Sequence, residues 1–297
     1  MSNDGPRKLE TCDDTCPDTA IIGRAKAVKL RRPKFDFKTF TPHWARNREF
    51  AQALNAGSPI PTCIEPYLNQ VMRRAADTLG PAYSRLRQDI TLFIGQETAH
   101  YQMHARYDEA MATNGYPRVR EFAAQMKATY QRFLTAKSLK FNLAYCAGFE
   151  TFSQAYAYYF YEAIDDLFAG ADDTTAAKVW HWHLAEEFEH RSVCHEAAKA
   201  LHCGYAARLY GLVYAFFHLS VQTKRILHYL LEVDRARMSA QEIADSRRSE
   251  RRYQRRASLY LLPRILRMAL PFYDPRRQRT PRGLDAYLQR IEQEFAS

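Results

Sequence analysis

Between residues 66 and 202 apolar side chains recur three and four positions apart over long stretches, the period of a helix with one face in a core. Short clusters of Gly, Pro, Asn and Asp cut these stretches into four segments. The first, 66–79, ends at Gly80-Pro81, which turns the chain into a second that runs to Asn114-Gly115, a helix-terminating pair. The third is the later part of a long helical stretch ending near Phe168, and a turn at 170–173 separates it from the fourth. Thr174 can cap that fourth helix, which the pattern carries to about 202–204. Upstream, Thr41-Pro42 reads as a cap and first turn of a short helix ending near Asn55, broken by Gly57, Pro59 and Pro61. Downstream, 205–231 is apolar enough to raise the question of a membrane span. Arg208, His218, Gln222, Lys224 and Arg225 interrupt it, so a buried or groove-covering helix is the expectation.

Composition agrees with helices. Only 11 Gly and 13 Pro occur in 297 residues, and the hydrophobic share of 46% can supply a sizeable core. The expected architecture is all-α, a four-helix bundle with additional N- and C-terminal helices. We divide it into an N-terminal arm over 1–41, partly disordered, a bundle over 42–234 and an Arg-rich helical extension over 235–297. Most of the net charge of +10 resides in that extension, where residues 235–290 carry fifteen Arg against five acids. Such a segment can contact an anionic membrane peripherally, or it can be a docked helix with solvated arginines. Nucleic acid is not the expected partner, and oligomeric state is not legible. No apolar run opens the chain, so a cytoplasmic location is expected. The scattered cysteines, Cys12 and Cys16 among them, read as reduced thiols with no metal role.

The chemistry lies on the second and fourth segments. The second holds Glu97-x-x-His100 followed by His104; the fourth holds His183, then Glu187-x-x-His190. Residues three and four apart share a helix face. At about 100° per residue Leu86, Ile90, Phe93, Tyr101 and Met111 fall on the Glu97 side, and Gln88 and Arg106 opposite. Val179, Ala197 and Leu201 accompany His183 in the same way. Carboxylates and imidazoles on a core stripe require compensation, and divalent cations supply it. Paired Glu-x-x-His helices, with one Glu from each of two further helices, build a dimetal carboxylate site. Glu150 on the third segment and Glu65 at the start of the first are the candidates for those two. Counted from the turns at about 1.5 Å per residue, all of these lie near a common level. Glu186 is an alternative to Glu187 or a hydrogen-bond partner of His183. His104 either binds metal or pairs with Asp108. Phe93, Tyr101 and Tyr161 are candidates to line a substrate pocket.

Gln96-Glu97-Thr-Ala-His100-Tyr-Gln-Met-His104, Gly148-Phe-Glu150 and Trp180-His-Trp-His183-Leu-Ala-Glu186-Glu187-Phe-Glu189-His190-Arg191 together resemble the bacterial predicted metal-dependent hydrolases. The order of ligands is also similar to that of diiron N-oxygenases acting on aryl amines. These resemblances imply a ferritin-like bundle and a metal-binding His183. Two metal ions are expected, iron first and manganese or zinc as alternatives, because carboxylate-rich sites with a few imidazoles suit iron or manganese, while zinc hydrolases usually keep fewer protein ligands. The expected arrangement has His100 on one ion and His183 with His190 on the other. The expected activity is a diiron oxygenase or oxidase using O2, an electron donor and a small organic substrate. The alternatives are metal-dependent hydrolysis and a non-catalytic metal-binding or membrane-associated bundle.

Overall fold

The computed structural model describes residues 28–296, and every regular element among them is helical. Expectations for 1–27, including Cys12 and Cys16, lie outside the described residues. Of the remaining cysteines, Cys63, Cys146 and Cys194 are buried free thiols.

Helix α1 (Arg48–Gly57) begins later than Thr41-Pro42 would place it, because Asn47 supplies the cap by accepting from the Phe50 amide. Helix α2 (Pro59–Thr78) begins earlier than expected. Pro59 and Pro61 start it instead of breaking the chain, since the first-turn N–H groups of a helix have no partner to lose. Glu65 therefore lies inside a helix. Pro66, also interior, has no N–H to offer the Thr62 carbonyl. Helix α3 (Ser84–Thr113) follows the Gly80-Pro81 turn and ends where Gly115 takes the left-handed conformation, φ 105°.

The third and fourth sequence segments are each divided. Ser138, accepting from the Phe141 amide, starts α5 (Leu139–Ala163) afresh after α4 (Val119–Ala136), and a short α6 (Asp165–Phe168) follows. Thr174 caps α7 (Thr175–His190), but the chain breaks at Arg191-Ser192 before α8 (Val193–Ala200). Ala197 is buried on α8, so the wheel drawn across both pieces joined two helices. Helices α9 (Tyr205–Arg235), α10 (Ala240–Met268) and α11 (Leu284–Ala296) complete the chain.

Helices α2 and α3 pack as a hairpin, α4 lies on α2, and α5 joins this body to α7 and α8. The most extensive packing is between α5 and α9. There Gly148 and Gly211 let two backbones touch: a Cβ on Gly211 would lie 2.0 Å from the Ala144 carbonyl oxygen. That approach fixes the height of α5, and Gly148 is two residues from Glu150. No helix among the described residues is long and apolar enough to cross a membrane. The expected burial of 205–231 is only half met, since one side of α9 packs and the other faces water.

Candidate metal centre

Four helices turn seven ligand-type side chains inward: Glu65 from α2, Glu97 and His100 from α3, Glu150 from α5, and His183, Glu187 and His190 from α7. All are buried, with at most 2% of their surface exposed. They form two groups, Glu65, His100, His183 and Glu187, and Glu97, Glu150, Glu187 and His190. Within each group one atom from every residue lies within 4.8 Å of the others, and Glu187 belongs to both. His183 Nε2 is 3.1 Å from one Glu187 oxygen and 3.8 Å from Glu65. His190 Nε2 is 3.1 Å from Glu97, 3.5 Å from Glu150 and 3.4 Å from the other Glu187 oxygen. One expectation is corrected here. His183 groups with His100 and Glu65, not with His190, because α7 passes the site lengthwise and the two histidines, seven positions apart, are separated by about 10 Å along its axis.

The cluster has the chemistry of a cation site. Both carboxylate oxygens of Glu65, Glu97, Glu150 and Glu187, together with His100 Nδ1 and His190 Nε2, are buried and make no well-aligned hydrogen bond, close as some of them lie to one another. Unpaired buried groups of this kind are costly, and a cation at the point where they converge compensates all of these acceptors together. Oxygen and imidazole donors in these numbers fit two divalent metal ions.

Electrostatics points the same way. Burial, then repulsion among the carboxylates, pushes Glu65 and Glu97 well above the usual range, and burial with the Glu187 charge does the same to Glu150. For Glu187 burial also opposes the charge, but His190 and His183 outweigh it and hold that carboxyl low. His100 is driven well below its ordinary value by burial and by His183 beside it, so it is neutral and ready to donate a lone pair. A raised carboxyl retains in the fold a proton that the unfolded chain releases at about pH 4.3. The stability contributed by Glu65, Glu97 and Glu150 is thus present below that pH and lost as pH rises through their folded values. A bound cation replaces those protons, so its stabilising effect grows with pH. Melting temperatures with and without metal should differ more at about pH 7.5 than at about pH 5.5; equal differences would show that no protons are displaced.

Around the ligands runs a shell that the sequence pattern revealed only in part, through Glu186, whose partner proves to be His100 and not His183. Glu186 is not a member of either group. Its Oε2 accepts from His100 Nε2 at 3.0 Å, leaving Nδ1 to face the cluster. Gln96 Oε1 accepts from His190 Nδ1 at 3.0 Å, while the amide nitrogen donates to Glu189 and to the Lys29 carbonyl. Arg31, from the segment preceding α1, donates to Glu186 at 3.0 Å and makes a two-pronged contact with Glu189 at 2.7 and 3.0 Å. It also reaches Glu292 of α11 at 2.6 Å. Such partners orient metal-binding imidazoles and fix their tautomers. A signal for Arg31 was present: three acids within 186–189 on one buried helix demand a counter-charge. Its position, more than 150 residues away, was not inferable.

His104 does not join the cluster and does not meet Asp108 directly. Ser58 stands between them, its hydroxyl 3.0 Å from His104 Nδ1 and donating to Asp108 at 2.7 Å; Thr62 donates to the other Asp108 oxygen. Burial pushes Asp108 up to about 7 against those two hydroxyls. Of the proposed pocket residues, Phe93 touches His190 edge-on at 4.8 Å between ring centroids, and Tyr101 is half-buried. Tyr161 is displaced from that role: its hydroxyl donates to the His181 carbonyl and its ring meets Tyr287, on the far side of α7. Two surface cavities of about 300 Å³, one beside Trp44 and one beside His43 and Asp234, are lined by none of the seven residues.

Residues 29–279, well over half of the chain, match the family described as predicted metal-dependent hydrolase. Comparison with curated proteins and with solved structures gave no match. The site of two buried carboxylate and imidazole groups and this long match agree, and the chain belongs to the predicted metal-dependent hydrolase family.

Proposed function

We propose that the chain is a dinuclear metal hydrolase acting on a small organic substrate. One ion would be held by Glu65, His100, His183 and Glu187, the other by Glu97, Glu150, Glu187 and His190. The observation that carries this reading is the set of orphaned acceptor atoms converging in two groups with Glu187 common to both. Two divalent ions so held supply Lewis acidity toward a carbonyl or phosphoryl oxygen and lower the pKa of water. The chain's own contribution begins with orientation, through Glu186 on His100 and Gln96 on His190. His104 supplies a proton acceptor. With Nδ1 directed at Ser58, its Nε2 carries the lone pair, buried without a partner beside His183, 4.7 Å away between ring centroids. Burial, then His183 and His100, hold His104 well below its ordinary value, so the imidazole is neutral and takes a proton only in passing, with Asp108 reached through Ser58.

One observation favours a second reading, the diiron oxygenase. The donor set is buried as well as oxygen-rich, and the two surface cavities beside Trp44 and His43 lie elsewhere, a setting suited to a small apolar reactant such as O2. The experiment is to load metal-free protein anaerobically with zinc, manganese or ferrous iron and assay esters, amides and phosphoesters, with O2 uptake followed in parallel. Hydrolysis by the zinc or manganese form, lost in His104→Ala, is the expected result. Absence of hydrolysis with any metal, together with O2 consumption by the iron form, replaces it with the oxygenase.

A further inference from the structure

Of thirteen large apolar side chains exposed among the described residues, ten belong to α9, α10 and the turn that follows α10. On α9 the stripe Tyr210, Val213, Phe217 and Val221 points directly away from the packed stripe that contains Gly211 and Ala215. On α10, Leu261, Ile265 and Met268 dock on the body while Leu259, Leu262 and Leu266 face water, the last 61% exposed. A helix apolar on both sides has a second partner to find. The two helices form one side of the molecule. They are joined in sequence at 236–239, both pack on α5, and their other ends meet where Tyr205 donates to the Ala269 carbonyl and Arg208 to that of Met268. Phe272, 78% exposed, projects just beyond that meeting point.

Charge identifies the partner. Segments 205–225 and 251–273 contain no Asp or Glu but nine Arg or Lys. Residues 252, 255, 259, 262 and 266, three and four apart, form one continuous stripe, arginine in its first half and leucine in its second. Arg251, Arg252 and Arg255 are exposed and make no ion pair with a described residue. A second copy of this chain would bring arginines against arginines with no acid to separate them. Nucleic acid would satisfy the arginines and leave the leucines and Phe217 in water. A surface that is anionic and apolar at once satisfies both halves.

We propose that this face of α9 and α10 binds reversibly to an anionic lipid bilayer, with arginines at the phosphates and the leucines, Phe217 and Phe272 at the acyl boundary. Neither helix crosses the bilayer. The test is co-sedimentation of the full chain with phosphatidylcholine vesicles, with and without phosphatidylglycerol, over a range of salt. Binding should require the anionic lipid and fall as salt shortens the screening length. The Arg251→Gln/Arg252→Gln/Arg255→Gln variant should lose roughly a hundredfold in partitioning, at about fivefold per charge. Leu259→Ser/Leu262→Ser/Leu266→Ser should lose at least about tenfold. All six side chains are exposed, so melting temperature and metal content serve as controls for an intact fold. Recovery of the wild type in the supernatant with both vesicle types overturns the proposal. So does undiminished binding by either variant. A dimer in solution that the leucine variant dissociates, without vesicle binding, assigns the face to a second copy.

Discussion

Replacement of Glu187 by Ala is expected to weaken both metal ions at once, lowering content from about two per chain to less than one after desalting. Glu187 is the residue common to both groups, and its two oxygens face different histidines, His183 and His190, at 3.1 and 3.4 Å. Single replacements elsewhere should be asymmetric. Glu65→Ala or His183→Ala removes a donor only from the group containing His100, and about one ion should remain tightly held; Glu150→Ala or His190→Ala should spare the other. Elemental analysis by mass spectrometry of protein reloaded with a single metal reads this directly. Two tightly held ions in Glu187→Ala, or equal losses across all the variants, would mean that the two groups are not two metal sites.

The second large effect concerns a residue that touches none of the seven ligands. Arg31→Ala leaves Glu186 and Glu189 buried without their cation. The Arg31 side chain is itself only 4% exposed, so solvent replaces little of the lost interaction. Removing one partner of such a buried network costs about 3–5 kcal/mol. Burial already pushes Glu186 up to about 7 with Arg31 drawing it down. Without the guanidinium its carboxyl rises further, takes a proton and holds His100 Nε2 less firmly. Loss of partners behind a metal-binding imidazole lowers metal affinity by about 10–100-fold. The measurements are chemical denaturation and competitive titration with a chelator. Arg31→Lys, which keeps the charge and loses the two-pronged geometry, should fall between Ala and wild type in both. Unchanged metal affinity in Arg31→Ala, with stability alone reduced, would confine Arg31 to holding the N-terminal segment and α11 against α7.

The helical class and the residues that face the centre were legible because both depend on short-range periodicity. Glu97 and His100, or Glu187 and His190, are three apart, and the apolar residues at the same spacing announce which side is buried. Boundaries were read less well where two signals compete. Pro59 and Pro61 resemble a break in sequence, yet they begin α2, and only the start of that helix makes Glu65 an interior residue. The divisions at Ser138 and at Arg191-Ser192 carry no Gly or Pro to mark them. Arg191 accounts for the second, its buried guanidinium donating to the carbonyls of Phe188 and of Pro275, a residue far along the chain.

Sequence by itself thus determined the helical class and the ligand-type residues on its inward faces, because each follows from a repeat of three or four residues along one backbone. Tertiary structure alone decided which ligand-type residues converge in one group. His183 stands with His100 across helices, although His190 is its nearer neighbour in sequence. It also decided that Arg31 neutralises Glu186 and Glu189, that Ser58 intervenes between His104 and Asp108, and that α10 keeps its leucine stripe in water while docking Leu261, Ile265 and Met268. The physical reason is common to all of these. Coulombic and hydrogen-bonding partners are chosen by distance in space, and the chain fixes that distance only after α2, α3, α5 and α7 have packed.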